Sequence, residues 1–460
     1  MFYTLIPMKI KFLFLYFIIC FVKITFASSL LSGPMIGYIE HREVMLCMEV
    51  ATTVKKVQIL YFEKAHPELK IKVDYKGELG KRFNPIKIKL NDLSMNTVYG
   101  YELILDDKKV TFPFATEFKT KDLWEWRKPA PDFSFLIGSC TYINDSAYDR
   151  PGKPYGASPE ILTTMGNMSS EFMIWSGDNL YYREADYSSE WGMKYRYSHD
   201  FSIPQLQKLR ATRANYAIWD DHDYGPDDAN KSWEYKKEAL QLFSSYWGNK
   251  TFGEPDNEGI YTKFKWSDAE FFLMDDRYHR SPNELQDSIN GKPNYAKQFY
   301  GQKQLEWLKT SLISSRSLFK FIVTGGQMLN PMADKECFRF YPAEFNELMN
   351  FIVENKINGV LFLSGDRHFS EMIKYTPANF YPLYDFTCSS ITSGIHNISN
   401  KPEFTNPNRV DGSLLLENNF GKISLLGNKG ERIVQFETYS ATGELKWKFH
   451  ISEKELKTKN

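Results

Sequence analysis

Short apolar runs separated by polar turns occupy residues 30 to 120. EVMLCMEVA, KVQILYFE and IKIKLND are rich in Val, Ile and aromatic residues, and a later stretch has the pattern of a hairpin over Asp106, Asp107 and Lys108. Runs of this kind, bounded by turn residues, are typical of strands. The pattern predicts an all-β sandwich domain over 30–120, followed by a proline-containing linker at 122–132.

The pattern changes after Pro131, where apolar runs alternate with helix-like stretches. Runs such as FSFLIGSC, EFMIWSGDN, NYAIWDDHD and GVLFLSGDRH end abruptly in Gly, Asp and His, and stretches such as PQLQKLRA and GQKQLEWLKTSLISS lie between them. Strands that alternate with helices predict a layered α/β domain. From about 422 to 452 the pattern returns to strands and hairpins. We place this tail on the same domain, which then covers 130–455.

The first 27 residues have the features of a secretory signal peptide. Lys9 and Lys11 precede the apolar run FLFLYFIICFV, and the small residue Ala27 follows it. The run is shorter than the ~20 residues of a membrane-spanning helix. We predict cleavage after Ala27 and export to the periplasm, the cell surface or the medium, with no integral membrane segment left afterwards. An uncleaved N-terminal anchor is the alternative.

Charge and cysteine content narrow the function further. The chain has 57 basic and 57 acidic residues, so no basic field exists to hold a nucleic acid, and we expect no nucleic-acid binding. We also expect a monomer. Cys47, Cys140, Cys337 and Cys388 follow the signal peptide. An oxidising compartment would permit two disulfides, whose pairing does not follow from the sequence.

Four polar clusters each come directly after a predicted buried strand. They are GSC at 138–140, GDNLYY at 177–182, WDDHDYG at 219–225 and GDRH at 365–368. Functional groups in layered α/β domains gather at the carboxyl ends of strands, so we expect the four clusters to meet. Several buried anionic oxygens repel one another unless cations neutralise them. Two or more metal ions are the simplest resolution.

The types of donor indicate which metals fit. Tyr181 and Cys140, if both coordinate, add a phenolate and a thiolate to the Asp and His donors. A tyrosine phenol has an ordinary pKa of ~10, so a strongly Lewis-acidic ion is needed to hold the phenolate at neutral pH. Ferric iron meets that demand better than magnesium or calcium. A neighbouring carboxylate-rich site suits calcium, and other divalent ions are possible.

The ordered set GSC, GD-x-x-Y, WDDHD and GDRH resembles the PhoD-like alkaline phosphatases of the calcineurin-like metallophosphoesterase superfamily. LMDDRYHR at 273–280, QLEWL at 304–308 and NNFG at 418–421 support the resemblance, which covers about 130–450 and extends to the sandwich ahead of it. It implies two β-sheets between helices, preceded by an immunoglobulin- or fibronectin-III-like domain. It also implies ferric iron and calcium as cofactors.

The resemblance further implies roles for individual residues. Cys140, Asp178 and Tyr181 would hold ferric iron, with Asp366 or His368 completing the coordination. Asp178 would bridge to a second metal, which Asp221 also binds. His222 would stabilise the phosphoryl oxygens or protonate the leaving group. The catalytic set is then His222, Asp221 and Arg277, and the metal set is Cys140, Asp178, Tyr181, Asp221, Asp366 and His368.

Several positions remain open. Many family members continue the third cluster with an acidic stretch ending in Asn-Asn, whereas this chain has DYGPDDAN, so Asp227, Asp228 or Asn230 could supply the matching ligand. Arg277 and Arg280 could clamp phosphate bidentately or form salt bridges instead. We expect Asp220 to support the metal ligands from behind and Tyr182 to be a core residue.

The leading interpretation is an exported enzyme that hydrolyses phosphomonoesters with a metal-activated water or hydroxide. Phosphodiester hydrolysis, including a phospholipase D-like activity, is the alternative at the same site. A non-catalytic surface-binding protein with a decayed site is an alternative of another class, and a serine hydrolase that uses Ser139 is a third. The near-complete set of predicted ligands disfavours the decayed site, and no His and Asp pair is dedicated to Ser139.

Overall fold

The computed structural model describes residues 29–333 and 336–458. The predicted signal peptide and its cleavage site lie outside these residues. Eight strands precede residue 120, which confirms that the N-terminal region is all-β. They are β1 (Leu30–Ile39), β2 (Glu43–Val50), β3 (Val57–Glu63), β4 (Ile71–Asp74), β5 (Pro85–Asn91), β6 (Val98–Leu105), β7 (Lys108–Lys109) and β8 (Glu117–Lys119).

The strands β6 and β7 form the hairpin that the sequence predicts. Asp106 and Asp107 connect them with φ values of 47° and 63°, the left-handed conformation that two-residue hairpin turns require. Asp tolerates this conformation better than most residues. The order β4-β3-β6-β7, with β8 beside β6, makes one five-stranded sheet.

A nine-stranded sheet, called here the large sheet, also includes strands from the N-terminal region. Its other members are β9 (Phe133–Gly138), β10 (Phe172–Ser176), β11 (Ala214–Ile218), β20 (Asn419–Leu426), β21 (Ile433–Ser440) and β22 (Leu445–Ser452). The strand order is β22-β21-β20-β9-β10-β11-β1-β2-β5. β1 runs parallel to β11, with Ile36 opposite Ala214. The division into two domains stays a prediction. At the β1–β11 pair the large sheet joins strands from both sides of the predicted domain boundary.

A six-stranded sheet, called here the small sheet, lies entirely after residue 260. Its strands are β12 (Thr262–Trp266), β13 (Ala269–Leu273), β16 (Phe319–Val323), β17 (Val360–Ser364), β18 (Glu371–Tyr375) and β19 (Leu383–Thr387), in the order β12-β13-β16-β17-β19-β18. The central strands β13, β16, β17 and β19 are parallel and entirely buried. A separate hairpin pairs β14 (Ser288–Ile289) with β15 (Lys292–Pro293).

Helices follow the strands of both sheets. They are α1 (Glu160–Asn167), α2 (Glu184–Tyr187), α3 (Glu190–Phe201), α4 (Pro204–Ala211), α5 (Asp221–Tyr224), α6 (Lys236–Tyr246), α7 (Gln302–Ser314) and α8 (Pro342–Glu354), with 3-10 turns at Phe338–Phe340 and Pro402–Thr405. α4 contacts β1 and β11 of the large sheet, and α7 packs Trp307 near Phe272 of the small sheet. Among the described residues, none of the helices has the length and apolar character that crossing a membrane requires.

The two sheets pack against each other through aromatic rings. Phe135 and Phe172 of the large sheet contact Phe271 of the small sheet edge-on, with ring centroids 5.2 and 5.4 Å apart, and Phe135 also meets Phe321 at 5.8 Å. Edge-to-face pairs of this kind contribute roughly 0.5–1.5 kcal/mol each beyond the area that they bury. Two packed sheets with flanking helices confirm the predicted α/β fold class.

Glu49 of β2 is an acidic residue in the buried part of the large sheet. Its side chain is fully buried, close to the side chains of Ser198 and Tyr246. Burial raises the pKa of Glu49 from 4.5 to about 7. The folded protein therefore holds this proton more tightly than the unfolded chain does. Its stability falls as the pH rises from 4.5 to about 7, and this contribution is constant above that range.

We expect Glu49→Gln to remove this pH dependence. As the pH rises from about 5 to about 8, the free energy of unfolding of the variant should increase by roughly 2–3 kcal/mol relative to that of the wild type. Urea denaturation at several pH values measures this difference. Glu234→Gln, a change at an exposed position, should gain nothing. The same pH dependence in wild type and Glu49→Gln would contradict the assignment.

Candidate metal centre

The ends of β9, β10 and β17 meet where the large and small sheets pack together. Gly365 is the first residue after β17, and a Cβ atom placed there would lie 2.5 Å from Ser139 Oγ and 2.7 Å from the carbonyl oxygen of Ser176. Only glycine permits so close an approach between these strand ends. The approach brings the polar clusters that follow the strands to one place.

Four of the predicted metal ligands converge on a single buried point. They are Cys140, Asp178, Tyr181 and His368. Asp178 Oδ2 lies 3.5 Å from Cys140 Sγ and 3.1 Å from Tyr181 Oη, and Tyr181 Oη lies 3.2 Å from His368 Nε2. His368 Nδ1 lies 2.6 Å from the carbonyl oxygen of Gly394. That contact requires the proton on Nδ1 and leaves the Nε2 lone pair directed at the cluster.

The backbone of these ligands is held in an uncommon conformation. Cys140, Asp178, Asp366 and His368 have φ values of 60°, 52°, 64° and 57°. Non-glycine residues seldom adopt positive φ, and such residues persist only where the surrounding structure fixes them. Each of the four follows the end of a strand, and at Cys140, Asp178 and His368 the tight turn re-aims the side chain toward the meeting point.

Two further groups of possible ligands adjoin this point. Asp178, Asp221 and His222 have ligand atoms within 4.8 Å of one another, and so do Asp221, Asp228 and Glu336. Asp178 and Asp221 are therefore each shared between neighbouring groups, which is the arrangement that two closely spaced ions need. Asp366 is not a member of these groups.

Burial and neighbouring anions drive the cluster toward neutral forms. Burial raises the pKa of Asp178 well above its usual range, and the Asp221 carboxylate raises it further. Burial also raises the pKa of Asp366, to about 8, and that of Tyr181. It lowers the pKa of His368 to about 3, so the imidazole stays neutral and able to coordinate. A multivalent cation would stabilise the anionic forms, and the donor set therefore fits a metal ion.

His222 lies at the solvent side of the cluster. Its backbone N–H donates to Asp178 Oδ1 at 3.1 Å, and its ring centroid lies 4.2 Å from that of Tyr181. Nε2 lies 4.0 Å from Asp221 Oδ2 and 3.6 Å from Asp227 Oδ1. The imidazole is thus fixed beside the predicted ligands and remains 24% exposed to solvent.

The three alternatives in DYGPDDAN occupy different places. Asp228 belongs to one ligand group and its N–H donates to Asp221 Oδ2 at 2.8 Å. Asp227 is exposed beside His222. Asn230 Oδ1 accepts hydrogen bonds from the backbone and hydroxyl of Ser232. Asp228 is therefore the best placed of the three to supply a ligand.

Comparisons with known proteins agree with this geometry. The profile of the PhoD-like phosphatase family matches residues 155–444, which is more than half of the chain. The chain belongs to the PhoD-like phosphatase family. The match includes the clusters around Asp178, Asp221 and Asp366 and begins after Cys140.

Three individual proteins are similar to this PhoD-like chain at low sequence identity. It is 22% identical over 318 residues to alkaline phosphatase D of Bacillus subtilis (strain 168), a match that covers 62% of this chain and 53% of that protein, so the chain spans about half the length of this relative. A solved structure of PhoD is similar in fold, with a TM-score of 0.69 at 16% identity over 91% of this chain and 88% of that one. A purple acid phosphatase from yellow lupin (Lupinus luteus) seeds has a TM-score of 0.61 at 11% identity over 91% and 74%.

Of the two roles that the sequence leaves open for Arg277, contact with substrate phosphate and a salt bridge, the geometry in this PhoD-like protein shows the salt bridge. Its side chain is fully buried, with Nε bonded to Asp220 Oδ1. Its other two nitrogens, Nη1 and Nη2, each lie 3.1 Å from an oxygen of Glu336, and Nη2 lies 3.6 Å from Asp221 Oδ1. Because protein acceptors occupy all three nitrogens, Arg277 is placed to orient carboxylates rather than to bind phosphate.

Arg280 and Glu336 complete the same network. Arg280 Nη2 lies 2.8 Å from Glu336 Oε1, so this second arginine also forms a salt bridge in place of the phosphate clamp considered from the sequence. Glu336 is absent from the predicted site residues. It lies in the loop segment ECF, remote from any strand end. The only signal for it is indirect, because the paired arginines of LMDDRYHR need a buried anionic partner.

The other predicted features are placed as follows. Ser139 Oγ lies 3.2 Å from the carbonyl oxygen of Cys388 and 3.3 Å from Cys140 Sγ, and it is buried, which does not favour a nucleophile. Tyr182 is a core residue, as expected. The four cysteines in the described part of the chain are buried free thiols, so the two disulfides that an oxidising compartment would permit are not formed there.

The network around Arg277 generates a prediction about stability. We expect Arg277→Met to lower the free energy of unfolding of the metal-free protein by about 3–5 kcal/mol, because it leaves buried carboxylates without their cation. Chemical denaturation measures this loss. Arg150→Met, at a side chain that is 89% exposed, should have little effect. Unchanged stability together with a raised KM for phosphoesters would instead support the phosphate contact.

Proposed function

We propose that the chain is an exported, metal-dependent phosphoesterase that hydrolyses phosphomonoesters, as an alkaline phosphatase does. The observation that carries this proposal is the convergence of Cys140, Asp178, Tyr181 and His368 on one buried point, with Asp221 and His222 beside it. Membership of the PhoD-like phosphatase family and the similarity to alkaline phosphatase D support it.

We infer that ferric iron is held by Cys140, Asp178, Tyr181 and His368, because thiolate and phenolate donors favour a strongly Lewis-acidic ion. The carboxylates of Asp221 and Asp228, with Asp178 shared, suit an oxygen-coordinated ion such as calcium, and Asp366 remains the alternative to His368 in the iron coordination. When bound, such ions polarise the phosphoryl group and lower the pKa of water so that a nucleophile exists at neutral pH.

The protein's own side chains position the substrate and supply the proton that the leaving oxygen takes up. His222 is assigned the contact with the phosphoryl oxygens or the delivery of a proton to the leaving oxygen, since its imidazole is partly exposed at the edge of the cluster. Asp227, 3.6 Å from His222 Nε2, is assigned the orientation of that ring. Arg277 holds Asp220 and Asp221 in place from the buried side.

Export is part of the proposal. It rests on the basic, apolar and small-residue pattern that ends at Ala27, which lies outside the described residues.

The same centre could also cleave phosphodiesters, since the walls of the site rather than its metal ligands distinguish the two substrates. A panel of both ester types separates them.

We expect the purified, metal-loaded full chain to hydrolyse nitrophenyl phosphate faster than bis-nitrophenyl phosphate. Chelation and Asp178→Asn should each lower kcat/KM by at least about 100-fold, because the shared carboxylate orients the whole cluster. Asp107→Asn, in the exposed β6–β7 turn, is the matched control and should retain activity. A strong preference for the diester would overturn the assignment to monoesters. Inactivity on both esters would overturn the proposed phosphoesterase function.

The iron assignment has a spectroscopic signature. Metal analysis should find iron, and the protein should absorb visible light through a tyrosinate–iron charge-transfer band. Tyr181→Phe should remove the band, because it deletes the phenolate oxygen that lies 3.1 Å from Asp178 Oδ2. Tyr182→Phe, which changes a buried neighbour, should keep it. A colourless protein that contains only divalent ions would exclude iron at this position.

A further inference from the structure

The side chains around the opening of the metal centre differ in chemical character. Asp227 is charged and its side chain is 76% exposed, whereas His222 is a partly exposed imidazole. Tyr155 is an aromatic residue that is 46% exposed. The ring centroid of Tyr181 lies 4.2 Å from that of His222 and 6.5 Å from that of Tyr155, so Tyr155 belongs to the same opening. It supplies a large apolar surface there.

Tyr155 is held in a fixed orientation although the residue is partly exposed. Its hydroxyl oxygen lies 3.3 Å from His368 Nδ1. Its ring meets Tyr142 edge-on, with centroids 4.9 Å apart and planes at 72°. A Cβ atom at Gly394 would lie 2.8 Å from Tyr155 Cε2, so the glycine is needed for the ring to fit. These contacts order the ring before any ligand arrives, which lowers the entropy cost of stacking on it.

A phosphoester bound at this centre must direct its leaving group toward the solvent. Asp178 and Asp221 are buried at the strand ends, so the inner side of the site is closed by protein. We propose that Tyr155 determines specificity by stacking its exposed ring against a leaving group with a flat apolar face, that is, an aryl or heteroaryl phosphoester. This inference rests on the proposed phosphoesterase function.

A second role for Tyr155 predicts different behaviour. If the hydroxyl served only to position His368, removal of the hydroxyl alone would disturb the centre, and the kind of leaving group would not matter. If the ring contacts the leaving group, the ring must be retained and the hydroxyl is dispensable for selectivity. Tyr155→Phe and Tyr155→Ala separate the two roles, because only the second removes the ring.

The experiment measures kcat/KM of the metal-loaded full chain on phenyl phosphate and on glycerol 2-phosphate. For each variant, the value for phenyl phosphate is divided by the value for glycerol 2-phosphate, and this ratio is expressed relative to that of the wild type. The comparison with the wild type cancels the intrinsic difference in reactivity between the two leaving groups. We expect Tyr155→Ala to lower this ratio about three- to tenfold, the range expected for a lost aromatic contact. Tyr155→Phe should keep it within about twofold. Tyr295→Ala, at an aromatic side chain that is 75% exposed just after β15, should not change it.

Calorimetric binding of phenylphosphonate and methylphosphonate gives a readout that does not depend on turnover. The preference of the wild type for the phenyl compound should fall in Tyr155→Ala by the same factor and persist in Tyr155→Phe. An unchanged ratio in Tyr155→Ala, or an equal loss in Tyr155→Phe, would overturn the inference. If the wild type hydrolyses neither ester, the proposed function fails, and the phosphonate preference still decides the role of Tyr155.

Discussion

The mutual repulsion of buried carboxylates is the constraint on which this structure depends. Asp178 and Asp221 lie in adjoining ligand groups at the end of the large sheet, and burial there penalises ionisation. The protein offsets part of this cost itself. Arg277 lowers the pKa of Asp221 together with His222, and the backbone N–H of His222 donates to Asp178. The pKa of Asp178 nevertheless stays raised, so the fold retains a demand for positive charge that a metal ion meets.

The fold can maintain this arrangement because the ligands lie on rigid strand ends. Residues with positive φ at four ligand positions are unfavourable in isolation, but each follows a strand that is wholly or almost wholly buried and that fixes the turn. Gly365 lets the small sheet approach the large one closely enough for the two sets of ligands to share Asp178. Precision at the centre therefore originates in the packing between the sheets rather than in the loops themselves.

The sequence predicted those features whose signal is local. The strand-end clusters, the Asp106–Asp107 hairpin and the C-terminal strands follow from runs of a few residues, and the structure agrees with them. The role of Arg277 could not be predicted in this way, because its partner Glu336 is 59 residues away and has no pattern of its own. Arginine suits both phosphate and carboxylate, so only the surrounding geometry shows which acceptor it contacts.

The continuity between the N-terminal strands and the large sheet has a similar origin. β11, which leads into Asp221 and His222, would be an exposed sheet edge without β1, and unpaired edges are a liability. The Asn215 side chain of β11 donates to the carbonyl oxygen of Ile36, and the N–H of Tyr38 donates to the carbonyl oxygen of Gly248. These two hydrogen bonds attach β1 to residues of the C-terminal part of the chain. The apolar runs of β2 and β5 predict strands but not which edge of a sheet the N-terminal region covers. The N-terminal region is thus part of the support of the metal centre.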